Sequence, residues 1–312
     1  MPALLAVPFV AIFKDKFEQQ YLAHIIGALI ATIAMIISKL IKKDNLQAVW
    51  VGIFVGLSTI IWFLSSVGSV WYLGQITGTL FVMLAIFEVL NQKRPFLIGV
   101  LLSFAFLSRL QLIPSLIFFF FLSTDLKLKN IARLFLGLSI FLVVYSGYNY
   151  LRFGDIFQTG YRLLPGIFDE PWFNKGQFSL SYIPNHLSLL FLKLPNFSNT
   201  FPYISPSWAG LAIWITSPAF IYSLLAPRNK IVLLSWLSII GIGLINFSYG
   251  STGFTQFGYR YAVDFYPFLI LLTILGISTK KLSWHHWILL SIGIVVNLWG
   301  VLWINKFGWV SF

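Results

Sequence analysis

Along this chain the charged residues are gathered into short clusters, and between them run long apolar blocks. Eight blocks, 21–41, 48–65, 69–90, 131–151, 209–225, 231–247, 259–277 and 284–304, approach the roughly 20 residues that cross a bilayer's hydrocarbon as helix. Residues 95–122 are equally apolar, but Ser108-Arg109-Leu110-Gln111 and Pro114 interrupt them. Each half then holds about 12 residues, about 18 Å of helix, enough for only part of a crossing. This predicts a re-entrant or broken hairpin that enters and leaves on one side, its irregular backbone satisfied by protein or a water-filled cavity. The opening stretch is apolar through Phe13, too short to span, and lacks the basic start and small-residue cleavage site of a signal peptide. Residues 1–20 read as an interfacial segment. The pattern as a whole predicts an all-α, polytopic transmembrane bundle of about eight spans, forming a single domain over 1–312.

The clusters set the orientation. Lys39, Lys42 and Lys43; Lys93 and Arg94; Lys127, Lys129 and Arg133; Arg228 and Lys230; and Lys280 and Lys281 all fall on one side of that drawing. Basic residues in short loops mark the cytoplasmic face, so the expected location is the plasma (inner) membrane. Lys14 and Lys16 fall opposite, beside Asp15 and Glu18. The other face receives residues 152–208, a loop far beyond the usual length of about 15 residues. Its many aromatics argue against disorder, and 183–194 reads as a short amphipathic helix along the interface.

Composition agrees: 58% of the 312 residues are hydrophobic and 10% charged, with mean hydropathy +0.86. That lies well outside the soluble class. The net charge of +12 invites a nucleic-acid partner, but its confinement to clusters between spans is a topological signal and excludes one. With no cysteine, disulfides, thiolate metal sites and cysteine nucleophiles are excluded. No zinc-type spacing, phosphate-binding glycine loop or catalytic triad signature occurs. Neither a metal nor another cofactor is expected, and a divalent ion has no support.

Ionisable groups inside or at the ends of spans cost several kcal/mol and each needs a reason. Arg109 stands at the hairpin tip, where it can hold a lipid phosphate in bidentate fashion or satisfy carbonyls at the break. Arg260 and Asp264 are spaced for an i,i+4 ion pair, with Arg260 and its neighbour Tyr261 also facing an outer anion. The run from Tyr145 to Arg162 joins a span to the large loop and mixes Arg152, Asp155, Tyr161 and Arg162 with glycines. Aromatics at that depth are usually an interfacial belt; the basic residues make it a candidate binding site, with Asp155 the candidate base. His24, alone in a span, reads as a packed, hydrogen-bonded histidine. His285 and His286 are adjacent and point apart on a helix. Asp169-Glu170 reads as a solvated pair.

The run Tyr148-Asn149-Tyr150-Leu151-Arg152-Phe153-Gly154-Asp155, followed by Thr159-Gly160-Tyr161, resembles bacterial GT-C glycosyltransferases, relatives of protein mannosyltransferases and aminoarabinose transferases. Leu107-Ser108-Arg109, the segment from Trp214 through Thr216-Ser217-Pro218 to Phe220, and Gly258-Tyr259-Arg260-Tyr261-Ala262-Val263-Asp264 through Pro267 are similar too. The opening Pro2-Ala3-Leu4-Leu5-Ala6-Val7-Pro8-Phe9 looks like the end of that family's first outer loop. The resemblance implies transfer of a sugar from a polyprenyl-phosphate carrier to a glycan, lipid or protein acceptor at the outer face, with inversion at the anomeric carbon. It further implies that basic residues hold the carrier phosphate, here Arg109, Arg152, Arg162 and Arg260 with Tyr161 and Tyr261. The family's catalytic carboxylate belongs to its first outer loop, which the resemblance places ahead of this chain's start, together with the first helix. A lipid or solute transporter, or flippase, is the competing expectation, although such proteins pair broken helices in repeated halves and this chain offers one break. A non-catalytic membrane scaffold is the third.

Overall fold

Helix ends follow local chemistry. Asp44 and Asn229 cap the helices that begin after them by accepting the amide N–H groups of Gln47 and Val232 at 3.1 and 2.9 Å, as short polar side chains do at N-caps. Gly68 and Gly154 end helices in the left-handed conformation, with φ of 64° and 72°, where a Cβ is disfavoured. The computed structural model describes residues 1–158, 160, 163–167, 169–253 and 255–303. Its helices are α1 (Pro2–Phe13), α2 (Gln19–Ile41), α3 (Asn45–Leu57), α4 (Ile61–Val67), α5 (Val70–Asn91), α6 (Pro95–Ser108), α7 (Leu116–Ser123) and α8 (Leu128–Phe153). Then come α9 (Ile183–Leu192), the two-residue strands β1 (Asn196–Phe197) and β2 (Ile204–Ser205), α10 (Ile213–Thr216), α11 (Lys230–Phe247), α12 (Tyr266–Ser278) and α13 (Trp284–Val301). The all-α class is observed.

Six helical stretches among the described residues are long and apolar enough to cross a membrane: α2, α5, α8, α11, Arg260–Ser278 and α13. The pair α3 and α4, bent by 50° at Ser58-Thr59-Ile60, is a broken span or a re-entrant loop and brings the number to seven if it is one span. The chain therefore is a multi-pass membrane protein. The eighth block takes another form. Residues 209–225 hold only the one-turn α10 and a 3-10 helix, Pro218–Leu225, because Pro218 lacks the amide N–H that would continue α10. The stretch still runs beside α12, with Gly210 packed on the backbone of Gly258 and the Tyr222 carbonyl on Gly276. Such irregular backbone is tolerated where protein covers it: Asn297 of α13 donates to the Thr216 carbonyl at 2.6 Å.

Contact registers fix the direction of each element. Gln75 and Thr79 of α5 donate to the carbonyls of Arg260 and Val263, so α5 and α12 descend together. Ser103 of α6 donates to Gly137 at 2.9 Å and Phe106 meets Phe141, so α6 and α8 run parallel. Pro114 lies against Gly241, while the Phe121 carbonyl accepts from Lys230 at 3.0 Å, so α7 runs opposite to α11. Hence α6 rises and α7 returns, the hairpin that the sequence predicts. The five basic clusters consequently lie at one end of the bundle, where Lys42 donates to the Lys280 carbonyl at 2.9 Å. The loop that holds α9, β1 and β2 lies at the other.

Where α6 crosses α8, two glycines meet. A Cβ on Gly99 would overlap the Leu134 carbonyl, and one on Gly137 the Phe96 carbonyl. Small residues let helix backbones approach this closely, which is the usual source of helix association in lipid. His24 is not packed: it lies exposed on the outward side of α2, because the buried stripe of that helix runs through Ala23, Ile26, Ile30, Ala34 and Ile37.

Candidate functional site

At the loop end, the tip of the hairpin meets the start of the α12 span. Arg109 is the extended residue between α6 and the 3-10 helix Leu110–Ser115, with φ −152° and ψ 108°. Its guanidinium grips Asp264 in bidentate fashion, Nε to Oδ1 at 3.2 Å and Nη2 to Oδ2 at 2.8 Å. Asp264 has no exposed surface. Asn246 of α11 completes its shell, donating to Oδ2 at 3.0 Å and to the Tyr261 carbonyl at 3.1 Å. A paired, hydrogen-bonded carboxylate is the form in which a charge can be buried.

The expected pair between Arg260 and Asp264 does not form. Residues Arg260–Phe265 are 3-10 helix, with about three residues per turn, so positions four apart no longer face each other. Arg260 turns instead into an aromatic cleft. Its guanidinium carbon lies 5.0 Å from the Tyr261 ring centre and 5.6 Å from that of Tyr72, within the range of cation–π attraction. Arg109 stands 6.0 Å from the same Tyr261 ring, so both guanidiniums lie near this tyrosine. The Nε of Arg260 is buried and meets no hydrogen-bond acceptor among the described residues. Arg109 is neutralised by Asp264, and among the described residues no carboxylate neutralises Arg260, so this cluster of side chains carries one net positive charge.

Gln256 braces this cleft from above. Its Oε1 accepts the Arg260 amide N–H at 3.2 Å, and its Nε2 donates to the Ala209 and Thr252 carbonyls at 2.8 and 3.1 Å. Gly253, with φ 76°, brings the loop backbone close to the Arg260 side chain. Tyr72 donates to the Thr255 carbonyl at 2.6 Å. Beneath the large loop, His186 of α9 is fully buried. Its Nε2 lies 2.8 Å from the Tyr249 carbonyl and its Nδ1 2.6 Å from the Tyr259 hydroxyl. The carbonyl can only accept, so Nε2 carries the proton and Nδ1 accepts from Tyr259. Burial holds the His186 pKa below its ordinary value, opposed by the bond to Tyr249.

A cavity of about 480 Å³ opens between α1, α5 and the hairpin tip, lined by Gln19, Trp71, Gly74, Ser108 and Arg109. The structure thus brings together Arg109, Arg260, Tyr261 and Asp264. Arg152 stays apart: its Nη1 donates to Tyr148 at 2.6 Å and its guanidinium covers Phe153, both on α8. Asp155 is exposed and accepts the Phe157 amide N–H at 2.9 Å, the geometry of a local turn. Tyr161 and Arg162 lie outside the described residues. Sequence reasoning missed Asn246, Tyr72, Gln75, Gln256 and His186. Gln75 and Asn246 were detectable as lone amides within apolar spans, where a polar group needs a partner. Among the described residues no group of three or more His, Cys, Asp or Glu side chains comes together. Comparison with family models, curated proteins and solved structures returns no match.

Proposed function

We propose that this protein is a membrane glycosyltransferase of GT-C type, which takes a sugar from a polyprenyl-phosphate carrier and passes it to an acceptor at the outer face of the plasma (inner) membrane. In this reading residues 209–225 form the eighth crossing, the basic end is cytoplasmic and the large loop is outside. One observation carries it: among the described residues Arg260 has no carboxylate partner, and its guanidinium lies near two tyrosine rings in a cluster of net charge +1. That arrangement suits a phosphate oxyanion, which arginine recognises by charge-assisted, directional hydrogen bonds. As the sugar departs, the positive group stabilises the charge that returns to the carrier phosphate. An apolar groove of about 380 Å³ between α7 and α11, lined by Ile113, Pro114, Ile117, Phe120 and Leu237, suits a hydrocarbon chain. Asp264, enclosed by Arg109 and Asn246, serves to fix the hairpin rather than to take a proton.

The test is photo-crosslinking of a polyprenyl phosphate to purified protein in nanodiscs, with release of carrier phosphate from a sugar-loaded donor as second readout. Arg260→Ala is expected to weaken carrier binding about tenfold or more, the equivalent of about 1.4 kcal/mol, and Arg260→Lys to restore part of it. Unchanged binding in Arg260→Ala would remove the basis of the reading.

A second reading, a lipid or solute transporter, has one observation in its favour. The α3–α4 break at Ser58-Thr59-Ile60 and the break at Ser217 sit on adjacent crossings, with Ile60 and Thr216 both against Gly258, and paired interruptions mark transporter sites. Substrate flux into sealed liposomes without chemical change would favour it.

A further inference from the structure

The large loop carries a small projecting finger that the site does not use. Strands β1 and β2 pair antiparallel, Asn196 with Ser205 and Phe197 with Ile204. From Leu194 to Trp208 there is no charged residue. Its large side chains point outward: Phe197 is 73% exposed, Phe201 71% and Tyr203 59%. An aqueous tip so composed would leave a contiguous apolar surface in water, which marks an interaction site.

Several backbone amides of the tip are also paired within it. The Ser198 amide donates to the Tyr203 carbonyl and the Tyr203 amide to that of Thr200, both at 2.8 Å. Ser198 Oγ takes the Thr200 amide at 3.1 Å and pairs with Thr200 Oγ1 at 3.0 Å. A turn whose polar groups are internally paired loses little when water thins around it.

Position supplies the occupant. The finger's base is tied to the crossing below it: the Ala212 amide donates to the Lys193 carbonyl at 2.9 Å, and Trp214 donates to the Phe191 carbonyl at 2.7 Å. Trp214, Ile221, Leu224 and Leu225 of that crossing are exposed apolar residues on the flank that faces lipid in a multi-pass protein. At the loop end, the exposed aromatics of the finger adjoin that flank through the ties to Ala212 and Trp214. We infer that the finger of residues 194–208 is seated in the bilayer interface at the loop end, with its aromatic tip at the boundary between headgroups and acyl chains. Tyr203 and Trp208, aromatic rings with polar handles, favour that depth, and the short ladder's open edges keep the finger from going deeper. Seating has a consequence for the cleft, since the Ala209 carbonyl at the finger's base accepts from Gln256, which holds the Arg260 amide. The lipid contact thereby braces the loop that shapes the Arg260 site. This inference rests on the reading of residues 209–225 as a crossing and is independent of sugar transfer.

The chain has no cysteine, so single nitroxide labels are placed without background. Phe197→Cys and Phe201→Cys, with Lys175→Cys as the exposed reference on the same loop, are labelled in protein reconstituted into phosphatidylcholine nanodiscs. Collision with dissolved oxygen is compared with collision with a water-soluble nickel chelate. The expected oxygen-to-nickel ratio at 197 and 201 is several-fold above that at 175. Equal ratios at all three positions would place the finger in water and overturn the inference. Protection of 197 and 201 from both reagents would overturn it too, by placing the tip against another protein surface such as a second copy. Two labelled positions guard against misfolding of either variant alone.

Discussion

Arg109 and Asp264 lie 155 positions apart, and each gives the other its reason for being inside a membrane protein. Removing one leaves a buried charge unpaired, which costs about 3–5 kcal/mol. Arg109→Ala and Asp264→Ala are each expected to lose about that much stability in detergent unfolding. The double replacement Arg109→Met/Asp264→Leu should recover most of it, because no lone charge remains; failure to recover would show that the pair does more than neutralise. His186 gives a pH prediction. Its folded pKa is lowered from the ordinary value of about 6.5, so its contribution is present above about pH 6.5 and is lost as pH falls through the folded value. Protection of the α9 amides, corrected for the intrinsic pH dependence of exchange, should therefore fall as the pH is lowered through the folded value below 6.5, and His186→Gln should remove that dependence. The sequence exposed Arg109, Arg260 and Asp264 as costly residues, but not which two would pair. Their pairing rests on a 3-10 turn and on a hairpin tip arriving from elsewhere in the chain, and spacing rules see neither.

Among the elements, α8 depends most on a single neighbour. Only 22% of its apolar window is buried, and its closest approach is to α6 through Gly99 and Gly137. Gly137→Val places a side chain against the Phe96 carbonyl, a backbone atom that cannot rotate away. The helices must separate, and overpacking of this kind costs about 1–3 kcal/mol. Gly137→Val should lower stability in detergent unfolding by about that amount; an unchanged midpoint would mean that the crossing adapts. Apolar length and charge placement made six spans and the hairpin legible, since both derive from the thickness of hydrocarbon and the cost of charge within it. Block 209–225 passed the same hydropathy reading, yet Thr216-Ser217-Pro218 divides it. Hydropathy counts solvation of side chains and is blind to the amide that proline lacks.

For the whole molecule, the gathering of five basic clusters at one end predicts a sidedness that the cysteine-free background makes easy to read. In intact cells, Lys175→Cys should react with a membrane-impermeant maleimide, while Lys127→Cys and Lys280→Cys should react only after permeabilisation. The reverse pattern would invert the assignment of faces and remove the outer-face reading of the Arg260 cleft. That global arrangement was legible because it follows from adding up crossings; the meeting of hairpin tip, α11 and α12 was not, because no local pattern encodes it. The same meeting bears on how the protein is made. At about 5–20 residues per second, the ribosome needs roughly 8 to 30 s to go from Arg109 to Asp264. An interval of that length separates the emergence of the hairpin from that of Asp264, and during it the tip arginine lacks the Asp264 carboxylate, so the hairpin must wait at the translocon or the headgroup layer. Its insertion is expected to finish only when the α12 span arrives, and nascent chains truncated before Asp264 should leave Arg109 accessible to water.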